Sequence, residues 1–210
     1  MPLNASQRQA RPRKGAPAAA RLTRDDWLDA AFAAAIEGGF GAVRVLLLAD
    51  ALGVTRGSFY WHFADHADLV QALIDRWYRH EIAKVNRQPQ YPYGEPAKCI
   101  LAVLDEVIAL TDKGRKNDRF EQALRSLASQ DAAVAAQLEE VDRGRLQMLH
   151  GHYAQLTGSD STARELSALL YLAVVGSHQA LNRPSADARM ADYLKSIIAR
   201  HLVHALDKSV

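Results

Sequence analysis

The sequence is poor in cysteine. Cys99 stands alone among 210 residues, which excludes a disulfide framework and any Cys-built zinc site and points to a reducing, cytoplasmic setting. Long apolar runs are missing too. None nears the roughly 18 residues that a membrane span needs, and the N-terminus lacks the apolar stretch that marks a secretory signal, so no membrane partner is expected. Seven prolines and twelve glycines are too few for a fibrous or linker-rich chain. Catalytic signatures are absent as well. There is no nucleophile elbow, HExxH, Walker loop or dinucleotide-binding glycine pattern. The sequence therefore nominates no catalytic residue and no cofactor, and an enzyme is not expected.

What is present is an ordinary globular balance, 49% apolar and 24% charged residues, in a chain long enough for one or two units with full cores. The net charge of +2 hides an asymmetry. Arg8, Arg11, Arg13, Lys14, Arg21 and Arg24 face no acid before residue 25. Residues 1–21 intersperse these bases with Pro, Gly and Ala and read as a flexible basic arm. A cationic arm on a balanced body suggests a polyanion as partner.

From Thr23 onward every segment reads helical and none shows strand alternation, so the predicted fold is all-α with about nine helices. Thr23 and Asp26 match a capping box, with Asp in the place of Glu. Leu28, Ala31, Phe32 and Ala35 follow at helical spacing, and Gly38-Gly39 ends the helix, after which Phe40 turns back into the core. A second helix is predicted over 44–52, with Val45, Leu48, Ala49 and Leu52 as its buried stripe. Gly53 stops it, and Thr55 caps a third helix over 56–61 two residues later. Two short helices around a tight Gly turn are a helix-turn-helix.

Asp65 caps a long fourth helix. After a breaker stretch at 88–96, helices are predicted over 97–110, near 119–129, from 131 to a break at Gly158, over 161–181 and over 186–206. The polar segment 111–118 reads as a solvated loop. Gly144, inside a long helix, suggests close helix approach or a kink, since it costs about 1 kcal/mol against Ala.

The informative stretch runs from Leu48 to Phe63. Thr55 places a hydroxyl and backbone N–H groups at a helix N-terminus, a ready phosphate site. Arg56 and Ser58 should point outward at the end of the helix that reads base edges, and Gly57 lets backbone approach a duplex. Tyr60, Trp61 and His62 offer apolar faces with polar tips suited to sugar-phosphate contact.

Here the sequence closely resembles the TetR family of bacterial repressors, from about Leu22 to Leu69 and most specifically over Gly53-Val-Thr-Arg-Gly-Ser-Phe-Tyr-Trp-His-Phe63. The resemblance implies a helix-turn-helix DNA-binding domain at 22–66 and a ligand-binding and dimerisation domain at 67–210. It implies base reading by Arg56, Gly57, Ser58 and Tyr60, and phosphate contact by Thr55, Trp61 and His62. The sequence departs from the family twice. Val43 and Arg44 stand where Thr or Ser usually starts the second helix, so the resemblance implies that Arg44 brings a charged phosphate contact in place of a hydroxyl. Asp65-His66 replaces the usual Ser-Lys at the fourth helix. The implied partners are palindromic double-stranded operator DNA, a second copy of the chain and a small-molecule effector.

The other candidate sites are weaker. His62/His66, His150/His152 and His201/His204 lack an acid at ligand spacing, so no metal is expected. Glu139, Glu140, Asp142 and Arg143 read as a solvated helix face with an i,i+4 pair. Candidate effector contacts are Phe120, Met148, His152, Tyr171 and His178, chosen because aromatic and polar tips inside an apolar core need partners. A dimer face is predicted on Leu166, Leu169, Leu170, Ala173 and Gly176, with Met190, Tyr193, Leu194, Ile197 and His201 on the last helix. A C-terminal domain that binds a protein rather than a ligand is the alternative. A cavity of several hundred Å³ separates the two.

The arm carries the first prediction. Deleting residues 1–21 removes five of the six leading bases. If four to six of these per dimer engage phosphate, the slope of log K against log salt falls by about 0.9 per contact, roughly 4–5 units. Fluorescence anisotropy over a salt series should show this loss mostly at low salt, with the melting temperature unchanged. An unchanged slope would identify the arm as an inert leader.

Overall fold

A computed structural model of the chain describes residues 22–87, 95–108, 112–181 and 188–204. The basic arm and most of the breaker stretch lie outside the described residues. Nine α-helices are found among those described: α1 (Arg24–Gly38), α2 (Val45–Ala51), α3 (Arg56–Phe59), α4 (His66–Asn86), α5 (Pro96–Ile108), α6 (Asp112–Ala128), α7 (Ala132–Thr157), α8 (Asp160–Leu181) and α9 (Ala188–Ile198). A 3-10 turn at Phe40–Ala42 follows α1, and α9 continues as a π-helical turn at Ala199–His204. No strand occurs among the described residues. The fold is all-α, as expected.

Local chemistry sets the boundaries. The capping box is complete: Asp26 N donates to Thr23 Oγ1 at 3.3 Å, and Thr23 N donates to Asp26 Oδ2 at 2.6 Å. The Thr23 N–H and the Thr23 hydroxyl, both donating to Asp26 Oδ2, favour the ionised carboxyl and lower its pKa. Gly39 and Gly53 sit at φ 70° and 68°, backbone that a side chain would strain; Gly53 makes the turn of the helix-turn-helix. Asp65 and Asp131 cap α4 and α7, each accepting backbone N–H bonds.

The loop expected before the sixth helix is not there. The polar segment 112–118 is the first part of α6, not a loop. Its residues carry no apolar period of their own. The helix is held from further along, where Phe120 and Leu124 are fully buried, and tertiary packing overrides the local signal.

Two apolar clusters form the core. The first gathers Trp27, Phe59, Phe63 and Leu69 with Phe120 and Leu124 of α6 and Val134, Leu138 and Val141 of α7. Trp27 meets Phe59 edge-on at 5.3 Å between centroids, and Phe59 stacks on Phe63 at 5.4 Å. Phe120 reaches into this cluster, stacked on Phe32 at 4.9 Å and tilted against Phe40 at 5.6 Å. The apolar packing thus runs across the 66/67 division drawn from the sequence. The second cluster, with Ile100, Leu104, Leu149, Tyr153 and Leu170, lies among α5, α7 and α8.

Gly144 marks a close approach. A methyl placed there would lie 2.9 Å from Val85 Cγ1 of α4, so α4 and α7 touch almost backbone to side chain. On α8 the exposed face is turned relative to the expected one. Leu170 is fully buried, and Leu166 and Ala173 pack against the second cluster. Leu169 and Leu172 are the large apolar residues left outside, with Tyr193 of α9. The core claims Leu166, Leu170 and Ala173 of the stripe that the sequence assigned to a partner, because α8 packs along α7, while Leu169 and Gly176 of that stripe stay exposed. Met190 has no described side chain.

Candidate nucleic-acid interface and C-terminal cavity

The helix-turn-helix places its candidate residues in three short stretches. Arg44 is the N-cap of α2 and exposed, and its Nε donates to the Gly41 carbonyl at 3.1 Å. Thr55 is the N-cap of α3. Contrary to the expected cap, its side chain makes no capping hydrogen bond, and the residue is exposed. Arg56 and Gly57 are exposed in the first turn of α3. A Cβ at Gly57 would meet only Thr55 Oγ1, at an ordinary 3.6 Å. The fold itself does not demand glycine there.

Ser58 departs from the outward placement read from the sequence. It is half-buried, and its Oγ is enclosed without a hydrogen-bond partner. In so short a helix the residue next to buried Phe59 turns partly inward. Beyond α3, Phe59 and Phe63 point in at helical spacing, and this leaves Tyr60 and Trp61 outside, 56% and 79% exposed. His62 is half-buried. His66, where the family usually carries lysine, is engaged within the fold: its Nε2 lies 2.6 Å from the Val43 carbonyl oxygen. That bond ties the start of α4 to the start of α2. Leu46 and Leu47 of α2 are also more than half exposed. Both lie off the stripe of Val45, Leu48, Ala49 and Leu52, and the sequence reading gave them no role.

A cavity of about 330 Å³ opens among α4 to α8. Trp77 and Glu81 of α4, Val103 of α5 and Asp118 of α6 line it, with Met148 of α7 and Tyr171 and His178 of α8. Of the five candidate effector residues the structure brings Met148, Tyr171 and His178 to this wall. Phe120 and His152 are elsewhere. Phe120 faces the other way, into the first cluster, because the rings of Phe32 and Phe40 accept it. His152 lies one helical turn past Met148, beyond the part of α7 that meets the cavity, half-buried, and its burial lowers its pKa.

Residues 28–73, the segment carrying this helix-turn-helix, match the family model described as bacterial regulatory proteins, tetR family. That segment is a TetR-family helix-turn-helix. Over 93 residues it is 34% identical to the HTH-type transcriptional regulator TtgR of Pseudomonas putida, a stretch covering 42% of this chain and 44% of that protein. The chain thus spans less than half the length of that curated relative. The fold likeness reaches further. A transcriptional regulator from Rhodococcus sp. Rha1 aligns over 89% of this chain and 98% of its own, at TM-score 0.72 and 18% identity. NalD of Pseudomonas aeruginosa, the secondary repressor of the MexAB-OprM multidrug efflux pump, aligns over 86% of this chain and 95% of its own, at TM-score 0.55 and 19% identity.

The inner wall of the cavity is a network of charges that sequence reading did not find. Arg145 of α7 donates to Glu121 at 2.9 and 3.0 Å and to Glu81 at 2.8 Å. Arg125 of α6 donates to Glu121 at 2.7 Å and to both carboxylate oxygens of Asp142 at 2.9 and 3.0 Å. Tyr171 donates to Asp142 at 2.5 Å. The partners lie up to 64 positions apart, so no local spacing announces them. Burial alone would raise the Glu121 carboxyl; the Arg145 and Arg125 guanidiniums outweigh it and bring the pKa down to about 2. Burial and the bond to Asp142 push the Tyr171 hydroxyl up to about 12.

Because the folded pKa of Glu121 is depressed, its stabilisation is present above the unfolded value of 4.5 and is lost as pH falls through about 2. The shift corresponds to about 3 kcal/mol. Glu121→Gln should therefore lower stability by about 3 kcal/mol near neutrality. The gap from the native chain should close between pH 4.5 and about 2, as urea melts at stepped pH would show. A gap independent of pH would deny Glu121 this role.

Proposed function

We propose that the protein is a dimeric, sequence-specific DNA-binding transcriptional regulator of the cytoplasm, a repressor that leaves its palindromic operator when a small effector fills the C-terminal cavity. The observation that carries the reading is the exposed start of α3. Arg56 and Gly57 stand clear of the fold there, with Thr55 before them and Tyr60 and Trp61 after them. The N-terminal end of such a helix reads base edges in the major groove while its flanks meet phosphates.

The cavity supports an effector over a protein-binding platform, since its volume falls in the range of small-molecule sites. The path from cavity to DNA is α4. Trp77, Glu81 and Lys84 of that helix line the cavity, and its first residue, His66, is bonded to the base of α2. An effector that fits one tilt of α4 better than another shifts the spacing of the two recognition helices. It weakens DNA binding only by that difference in affinity. Leu169, Leu172 and Tyr193 give the dimer its apolar face.

Two measurements test the reading. Arg56→Ala should cost about 1–3 kcal/mol on the cognate operator and relax preference at one position per half-site. An equal loss on random DNA would make Arg56 a phosphate contact. Leu172→Glu should turn the dimer into a folded monomer by light scattering and abolish tight operator binding. A variant that stays dimeric would move the interface elsewhere.

A further inference from the structure

We propose that the crossing of α4 and α7 at Val85 and Gly144 sets operator affinity: the contact holds α4 where the helix-turn-helix fits its site, and widening it by one methyl group weakens binding with no effector present. The proposal rests on reading the chain as a regulator whose α4 joins cavity to DNA, and it names the contact that decides where α4 lies.

The crossing is tight. A Cβ built on Gly144 would lie 2.9 Å from Val85 Cγ1, with Val85 Cγ2 at 3.6 Å and Cβ at 3.7 Å. Two carbons in contact sit roughly 3.5–4.0 Å apart, so a methyl there pushes the helices apart by roughly 0.6–1.1 Å. Valine in a helix has one strongly favoured rotamer and does not swing aside cheaply. Helix α7 is packed along α8 and against α5 and α6, so α4 is the partner that yields. The crossing also lies on the cavity. Glu81 and Val85, one turn apart on α4, line it together with Arg145, the residue after Gly144, and Arg145 Nη2 donates to Glu81 Oε2 at 2.8 Å. An occupant of the cavity presses on the contact that a methyl at residue 144 would open.

The crossing is also one end of a lever. Gln137 of α7 donates to Asp75 of α4 at 3.1 Å, a pivot between two arms of the helix. Val85 lies about 15 Å beyond this pivot and His66 about 13 Å before it, at a rise of 1.5 Å per residue. A displacement at Val85 therefore returns at His66 with nearly the same size and the opposite direction. The arm that ends at His66 carries the helix-turn-helix, because His66 Nε2 lies 2.6 Å from the Val43 carbonyl oxygen. Beside the pivot, Arg76 donates to Asp29 of α1 at 2.7 Å, which keeps that point of α4 in place while its ends move. In a dimer both heads shift at once, whereas the half-sites of a palindrome keep a fixed spacing. The fit is lost on operator DNA and not on a duplex that demands no spacing.

The test uses the full-length chain and an operator that the native protein selects from random-sequence duplexes. By fluorescence anisotropy, Gly144→Ala should weaken operator binding about tenfold or more and leave binding to a random duplex unchanged. Alanine favours a helix over glycine, so α7 itself is not weakened. Adding Val85→Ala to Gly144→Ala removes the clashing methyls and should restore most of the operator affinity. Three results overturn the proposal: an operator affinity that Gly144→Ala leaves intact, an equal loss on both duplexes, or a loss that Val85→Ala does not rescue. Val85→Ile enlarges the same contact from the α4 side and should weaken operator binding in the same sense, so a misfolded Gly144→Ala chain leaves the test decisive. A crystal structure of the Gly144→Ala chain without DNA reads the displacement itself. Val85 should stand farther from α7, and His66 should have moved relative to Gln137. An unmoved α4 in a chain whose native form selects an operator strikes this proposal alone; a native chain that selects none strikes the regulator reading beneath it.

Discussion

Arg145 is the constraint on which the C-terminal half depends. A guanidinium placed among helices carries a desolvation cost of several kcal/mol unless each of its donors finds an acceptor in good geometry. Here Glu81 from α4 and Glu121 from α6 supply those acceptors. Arg125, Asp142 and Tyr171 extend the same chain of bonds to α7 and α8. Four helices thus converge on fixed N–H to oxygen distances rather than on interchangeable apolar contact. The cavity exists beside this network because polar groups with fixed partners cannot collapse into the space as leucines would.

The long helix α4 joins the two ends of the molecule. It spans 21 residues, about 30 Å at 1.5 Å per residue. Its start is held by the Asp65 cap and by the His66 bond to Val43. Further along it meets α7 where Gly144 lets Val85 come close. A helix fixed at such contacts moves as a rod. The regulator reading needs this property, because an event at Glu81 has to be felt at α2 and α3.

The N-terminal region was legible because its signals are local. The Thr23–Asp26 box, the Gly53 turn and the inward spacing of Phe59 and Phe63 each involve residues within one or two turns of one another. The same method erred where distant residues decide. Segment 112–118 looked like a loop because its helix is justified by Phe120 and Leu124 in another part of the core. Ser58 looked exposed because a four-residue helix has no second turn from which to judge its face. Asp142 looked like part of a solvated face, yet its partners are on α6 and α8. Glu81, Glu121 and Arg145 went unnoticed for the same reason: ordinary charged residues in sequence, they become a site only through pairing across the fold.

Phe120 has a consequence for any exchange of the N-terminal helices. Its ring stacks on Phe32 and closes on Phe40, completing the core behind the helix-turn-helix from α6. A DNA-reading head cut at residue 66 would leave a ring-sized hole behind, and a foreign head grafted there would meet a ring with nowhere to go. A graft at that junction therefore needs an aromatic socket like the one that Phe32 and Phe40 make here.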